Sequence, residues 1–548
     1  MKRRHFLQTA ALALGAAGVR LARAIDFNSV PYTLPLFSTG EYHRIDSAER
    51  VFHRSTGPQD VLADPEQVEA WRDAGVKHLW LTLFHRARLD AEWDVYEQAV
   101  RRTRELGMVP HLLSVPFGHP TRFEAGGFPE GWKPNERYNG RKGWGISFHE
   151  LTARETVDSN RFAYEKFGVC DHFLDDDYRV ADTPDEIGGC VCPECRQAFM
   201  ENTGIPAARW DELIADLNAN DDTPLVRLWV DYQCDLLTDL FRKTEAAAPK
   251  VDLGIMVMGM GSERAGIRLE DYRGKLFRVG EWMFNDAEYD QLKKKTIEMF
   301  SVLFHRRFTE PGRTFSETTI HPENSLSKEN MASKLVFSTF ADVRNTMFMC
   351  RTPADYWPFF AKRMKKEAAY HEVLKGCAPK GPFKHFWGKA GRYMAGYNAY
   401  SLFLATGMPF EVTDGLAADG WTFLGDNDAR SLERGEIASP GTVCITRRES
   451  PSGRSTAVDE SLESLFAFRR SILPKLREAR VPDVEEESPV VCGWYPEARA
   501  VLLWNPEKSD KTVHLFFAGR STAVELPALE SALMLENGDG TYREMRIA

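Results

Sequence analysis

Residues 173–180 read FLDDDYRV, and a Cys-x-Cys-x-x-Cys cluster follows at Cys190, Cys192 and Cys195. An apolar run ending in Asp175, Asp176 and Asp177 reads as a buried strand delivering carboxylates to a site at its C-terminal end. Thiols two and three positions apart, with Gly189 before them and Pro193 among them, form a knuckle that can close around one metal ion.

Outward from this stretch, between about residues 30 and 350, short apolar runs alternate with longer amphipathic ones. This is the βαβα pattern of a parallel sheet, and the fold class is α/β. The strand candidates are Tyr32–Ser38, Val76–Phe84, Val109–Val115, Val169–Asp176, Val251–Met258, Leu276–Met283, Thr314–Thr319 and Thr346–Cys350. Helices are expected at Pro65–Ala74 and Ala91–Leu106. Eight strands with intervening helices predict a closed (β/α)8 TIM barrel over residues 25–375. No Gly-x-Gly-x-x-Gly turn follows the first strand, which argues against an open nucleotide-binding sheet. Two long insertions, residues 118–148 and the cysteine loop, follow the third and fourth strands. Both therefore fall on the C-terminal face, where such barrels build their sites.

The pattern changes after residue 375. Strands at Pro382–Trp387, Pro409–Thr413 and Trp421–Leu424, with helices at Tyr393–Ala405 and Asp428–Arg434, predict a smaller α/β domain over 376–485. A charged helix at Asp459–Arg480, broken near Pro474, closes it. The alternating runs Val490–Trp494, Ala500–Asn505, Thr512–Phe517 and Ser521–Leu526 predict a small C-terminal antiparallel β domain over 486–548.

The 548 residues carry a formal charge of −10. Residues 1–24 hold Lys2, Arg3, Arg4, Arg20 and Arg23 and no acid, so the remainder is at −15. So acidic a chain has no electrostatic footprint for nucleic acid. The opening Lys2-Arg3-Arg4-His5-Phe6-Leu7, the apolar run to Val19 and Ala22-Arg23-Ala24 read as an export signal of twin-arginine type, directing the chain to the periplasm or outside. A plain secretion signal with a basic start is the alternative. No other segment is long and apolar enough to span a bilayer, and no cysteine near the cleavage site offers a lipid anchor. The nine cysteines are odd in number, and five (Cys234, Cys350, Cys377, Cys444 and Cys492) are scattered singly, so the cluster reads as a metal site before a disulfide.

Carboxylates at the ends of the fourth and seventh strands of a barrel face each other across its mouth. Asp177 closes the fourth and Glu317, in Thr314-Phe315-Ser316-Glu317-Thr318-Thr319, the seventh. Hydrolysis with two carboxylates needs this pair: one protonates the leaving oxygen, while the other attacks the sugar carbon or activates water. Each acid also has a duller reading, Asp175–Asp177 as a capping loop or partners of Arg179, and Glu317 as a rim salt bridge. Trp132, Trp144, Trp282 and Phe284 are candidate sugar platforms, since aromatic faces suit the C–H faces of sugar rings, though most tryptophans simply pack. Glu281, His85 and His119 could reach substrate hydroxyls.

FLDDDYR, then CVCPECRQAFMENTG, then WDELIADLN together resemble the acid/base region of family 42 glycoside hydrolases, the β-galactosidase-type clan of retaining barrels. The resemblance implies that Asp176-Asp177-Tyr178 fills the family's Asn-Glu-Tyr positions, with Asp177 as acid/base, Asp176 in place of the sugar-binding Asn, Asp175 beside them and Glu317 as nucleophile. It also implies a flavodoxin-like second domain, a structural zinc at the cysteine knuckle and no organic cofactor. The family's first zinc cysteine has no counterpart in Trp144-Gly145-Ile146-Ser147-Phe148-His149, so His149 or Cys170 is left as fourth ligand. Asp in place of Glu shortens the acid arm by one methylene. Asp in place of Asn adds a charge where an amide is expected, and Met347-Phe348-Met349-Cys350-Arg351 replaces a Trp-rich segment. The expected partner is a carbohydrate; a homo-oligomer stays open. Two other classes remain, a carbohydrate-binding barrel without catalysis and a metal-dependent hydrolase built on the Asp triplet.

Overall fold

The computed structural model describes residues 33–37, 40–85, 88–116, 131–175, 178–280, 282–349, 352–439 and 441–547. Eight parallel strands form a ring: β1 (Val51–Thr56), β2 (Val76–His85), β3 (Val109–Val115), β4 (Cys170–Leu174), β5 (Val251–Met258), β6 (Leu276–Gly280), β7 (Thr314–Thr318) and β8 (Asn345–Phe348). β1 pairs with both β2 and β8, and this closes the barrel.

Seven of these strands lie where the sequence places them; the first does not. Instead of forming a strand, residues 33–37 run along the end of helix Glu150–Phe167. There the N–H groups of Leu34 and Leu36 donate to the carbonyls of Lys166 and Phe167 at 2.7 and 3.2 Å. β1, with the sequence VFHRST, looks too polar for a core strand, yet Phe52 to Thr56 are all buried. Arg54 is tolerated because its guanidinium lies over the Trp71 ring, 4.9 Å from the centroid.

The expected helix Pro65–Ala74 forms with those bounds. Asp64 caps it by accepting the Gln67 N–H at 3.0 Å, Pro65 occupies the first turn, and Gly75 ends it at φ 107°. The barrel interior is packed by Trp80, Leu113, Phe173, Leu276, Phe315 and Met347. The Trp80 and Phe315 rings stand 4.7 and 5.0 Å from Phe173. Burial of each such side chain contributes about 1.5–3 kcal/mol. Toward the N-terminal ends of the strands the interior becomes polar. His78 Nδ1 meets His111 Nε2 at 2.8 Å, and His111 Nδ1 lies 3.0 Å from buried Asp171.

After the barrel, a second sheet takes the order Ser455–Ala457, Val443–Thr446, Trp421–Leu424, Phe383–Phe386, Thr406–Thr413, Val490–Tyr495, Ala500–Trp504, Ser531–Glu536 and Tyr542–Glu544. Pairing is parallel as far as Val490–Tyr495 and antiparallel beyond it. Two sequence expectations fail here. Residues 393–405 are not one helix: a short helix Lys389–Tyr393 and a 3-10 turn Leu402–Ala405 flank an irregular segment. The helix Leu462–Glu478 runs unbroken through Pro474, which is exposed, so the carbonyl that loses its partner faces water. Among the described residues no helix is long and apolar enough to cross a membrane.

Three fully buried histidines are held neutral. Burial pushes His53, His172 and His385 down to about 3. His385 Nε2 accepts the Tyr400 N–H at 3.0 Å, which a protonated ring could not do, and its ring stacks on Phe300 at 4.2 Å. In the unfolded chain a histidine titrates near 6.5, so the stabilisation from keeping it neutral is full above that pH and is lost as pH falls toward 3. H385Q keeps an acceptor and removes the titration. Its stability, measured by urea unfolding, should fall less than that of the wild type between pH 7 and 4.5. The difference should grow by about 1.4 kcal/mol per pH unit below 6.5. Parallel pH profiles for the two proteins would refute this account.

Candidate active site and metal knuckle

Asp175 extends the ladder one residue beyond β4, its N–H bonded to Ser114 O at 2.9 Å. Its side chain, 5% exposed, pairs with the guanidinium of Arg278 from β6, which has no exposure at all. On its other side Arg278 Nε lies 3.8 Å from Oε2 of Glu317, near the end of β7. One buried cation thus stands between two carboxylates from different strands. A charge in so apolar a place persists only if it is paired, and here the pairing fixes the acids as much as the base. The thioethers of Met256, Met347 and Met349 line the guanidinium, and the Phe173 ring lies 5.8 Å away.

Glu317 is further oriented by the Thr319 hydroxyl, which donates to Oε1. Space for the carboxylate comes from Gly280, the last residue of β6. A Cβ there would stand 3.0 Å from Glu317 Oε2 and 2.4 Å from Met256 Cε. Beyond it, the backbone N–H groups of Trp282 and Met283 donate to Glu298 Oε1 at 3.0 and 3.1 Å. Lys334 holds Glu298 Oε2 at 3.4 Å and the Met283 carbonyl at 2.6 Å. The buried Glu298–Lys334 pair therefore sets the path of the chain that carries Trp282. The half-buried Trp282 ring faces Phe284 at 6.2 Å and Tyr397, from the segment after Phe383–Phe386, at 6.1 Å.

Asp176, Asp177, Glu281 and His119 lie outside the described residues. Of Trp144, only the backbone is described, in the strand Lys142–Ile146. His85 ends β2 and is half exposed, with Nδ1 2.8 Å from Asp90, an ion pair across the turn to Arg88–Leu89. Trp132 is not a platform: it is buried, and its Nε1–H donates to Glu155 at 2.7 Å. Arg179 donates from its guanidinium to the carbonyls of Ala181 and Asp182 at 3.1 and 3.2 Å.

Cys190, Cys192 and Cys195 place their sulfurs within 4.8 Å of one another, and this group could hold a metal ion. No disulfide joins them. The Glu136 N–H, from the hairpin Pro134–Glu136/Lys142–Ile146, points at Cys190 Sγ at 3.2 Å. The Cys195 thiol foremost, with the Ser147 hydroxyl and backbone N–H groups, pulls the Cys190 thiol below its ordinary value. Buried Arg137 clamps hairpin to loop through the carbonyls of Val180, Gly189 and Ile187 at 3.2, 3.1 and 2.5 Å. His149 is not in the ligand set: its Nε2 is buried without a hydrogen-bond partner, and burial lowers its pKa. Cys170 is also outside the set, buried in β4. Beside the knuckle opens a cavity of about 1010 Å³ lined by Lys133, His149, Cys190, Cys195, Tyr232 and Lys243, among others.

No known family model and no curated protein matches this sequence. Solved structures do. The β-galactosidase from Rahnella sp. R3 superposes with a TM-score of 0.55 at 11% identity, covering 92% of this chain and all of that one. A family 42 β-galactosidase from G. stearothermophilus gives 0.57 at 11% identity over 89% of this chain and 98% of its own. The β-galactosidase from the psychrophilic Marinomonas ef1 gives 0.52 at 10% over 88% and 99%. At such identities it is the fold that is shared, nearly end to end, and a divergent relative of family 42 fits it.

Arg278, Glu298 and Ser147 escaped the sequence reading. Only Arg278 left a signal there: an arginine inside the apolar strand LFRVG has to find counter-charge. R278M would leave two carboxylates buried without their cation. It should cost about 3–5 kcal/mol in denaturant unfolding, with R278K recovering part. A loss below about 1 kcal/mol, the level of an exposed pair, would mean that the carboxylates do not depend on Arg278.

Proposed function

We propose that this chain hydrolyses O-glycosidic bonds of an oligo- or polysaccharide by a two-carboxylate, retaining mechanism, with β-galactosides the first substrates to try. The observation that carries it is Glu317, buried at the C-terminal end of β7 and tied through Arg278 to Asp175 at the end of β4. The likeness in fold to family 42 β-galactosidases supports reading this mouth as a two-carboxylate site.

In this reading Glu317 attacks the anomeric carbon. Arg278 and the Thr319 hydroxyl hold it ionised and aimed, because a protonated carboxyl would forfeit the ion pair. Asp177 protonates the leaving oxygen and then deprotonates the water that releases the sugar from Glu317. Asp176 and Glu281 bind hydroxyls, Trp144 and Trp282 carry the sugar ring, and His85 stands at the rim. The shorter arm of Asp177 requires the sugar to sit closer to β4 than a Glu would. A zinc ion at the knuckle would be held by Cys190, Cys192 and Cys195, would tighten the loop after β4 and would take no part in the reaction. Residues 1–24 direct export through the twin-arginine route.

E317Q and D177N test the assignment on aryl β-galactosides and a panel of other aryl glycosides. Both should lose at least about a thousandfold in kcat while remaining folded under the assay conditions. E317Q turning over at the wild-type rate would remove the nucleophile assignment. Sugar binding without turnover by the wild type would make the barrel a carbohydrate-binding protein instead.

A further inference from the structure

The knuckle offers three sulfurs, and a tetrahedral ion needs a fourth donor. Ser147 follows the hairpin strand Lys142–Ile146 and is completely buried. Its N–H is tied to the Lys133 carbonyl at 2.8 Å, and its own carbonyl accepts the Thr152 hydroxyl at 3.0 Å. Held in this way, its Oγ stands 3.4 Å from Cys195 Sγ and 3.6 Å from Cys192 Sγ. One hydroxyl thus sits against two of the three sulfurs.

Those two distances are informative. With metal–sulfur bonds of about 2.3 Å and a metal–oxygen bond of about 2.0 Å, the sulfur-to-oxygen edge of a tetrahedron is about 3.5 Å. The edges to Cys195 and Cys192 bracket this value. His149 does not compete on this geometry. It stands at the N-cap position of the helix Glu150–Phe167, without a side-chain capping hydrogen bond, and lies on the wall of the adjoining cavity, outside the set of mutually close ligand atoms.

We infer that Ser147 supplies the fourth corner, making this a three-sulfur, one-oxygen site for a divalent cation of zinc type. The inference rests on the metal reading above and is independent of the glycosidase reading. Two properties follow. An alcohol oxygen is a weaker partner for a borderline-soft ion than a thiolate, so the site holds its metal less firmly than four cysteines would. Cys190 and Cys195 line the large cavity, so chelators reach the ion without unfolding of the loop.

The test uses the full mature chain loaded with Co(II), whose visible bands report the donor set, and competition with a chelator for Zn(II). The wild type should bind one ion in a tetrahedral, three-thiolate environment. S147C should shift the bands toward those of four thiolates and tighten zinc by at least about tenfold, S147A should weaken it by at least about tenfold, and H149A should change neither. If S147A binds like the wild type while H149A loses the ion or its spectrum, the fourth ligand is His149 and the inference falls, with the metal reading intact. If neither wild type nor S147C binds metal under reducing conditions, the metal reading itself falls.

Discussion

A guanidinium with no contact to solvent must be given counter-charge by the fold, and Arg278 makes that demand at the mouth of the barrel. The carboxylates that answer it come from the ends of β4 and β7, so one ion-pair network joins three strands at the face where chemistry can occur. The strands converge there only if β5 and β8 supply side chains soft enough to pack against a cation, which Met256, Met347 and Met349 do. Gly280 belongs to the same arrangement, since a side chain there would collide with Met256 and crowd the Glu317 carboxylate. The acids and the packing around them are one construction.

Other buried arginines hold the outer parts by a different chemistry. Arg137 and Arg264 are both fully buried and are satisfied mainly by carbonyls. Arg137 closes the cysteine loop onto its hairpin. Arg264 donates to Pro184 and Met260 at 2.8 Å each, and to Met394 and Gly396 at 3.0 and 2.8 Å. It thereby pins the loop after β5 to the cysteine loop and to the segment after Phe383–Phe386. Irregular backbone without ladder partners still needs its carbonyls satisfied, and a five-donor side chain does this economically. This explains how long loops on the C-terminal face can be ordered without secondary structure of their own.

Most of the barrel was legible because parallel strands are continuous apolar runs, and seven of the eight announced themselves in that way. β1 did not: His53, Arg54, Ser55 and Thr56 are polar residues whose burial depends on a tryptophan face and on other side chains far away in sequence. The expected strand Tyr32–Ser38 misled for the converse reason: its described residues, 33–37, are an apolar run that packs on a helix end without entering a sheet. At the site, Glu317 and the cysteines could be read from local pattern alone. Arg278 and Ser147 could not be assigned roles, since each is defined by distances to residues dozens of positions away. The unbroken helix through Pro474 shows the same limit, because whether a proline breaks a helix depends on which face it occupies.

The second sheet has a bearing on the order in which the chain can be built. Its central strand Thr406–Thr413 lies between Phe383–Phe386 on one side and Val490–Tyr495 on the other. During synthesis the barrel has all its strands once residue 348 has emerged. The neighbouring sheet still has an open edge along Thr406–Thr413 until about 495 residues are out, and the helix Leu462–Glu478 and the strand Asp483–Val484 must be made in between. Nascent chains therefore pass through a stage with a finished barrel and a half-made sheet whose free edge can pair with a neighbouring copy. A ribosome paused within this interval exposes that edge for longer, so slow translation between about residues 413 and 495 lowers the yield of soluble protein.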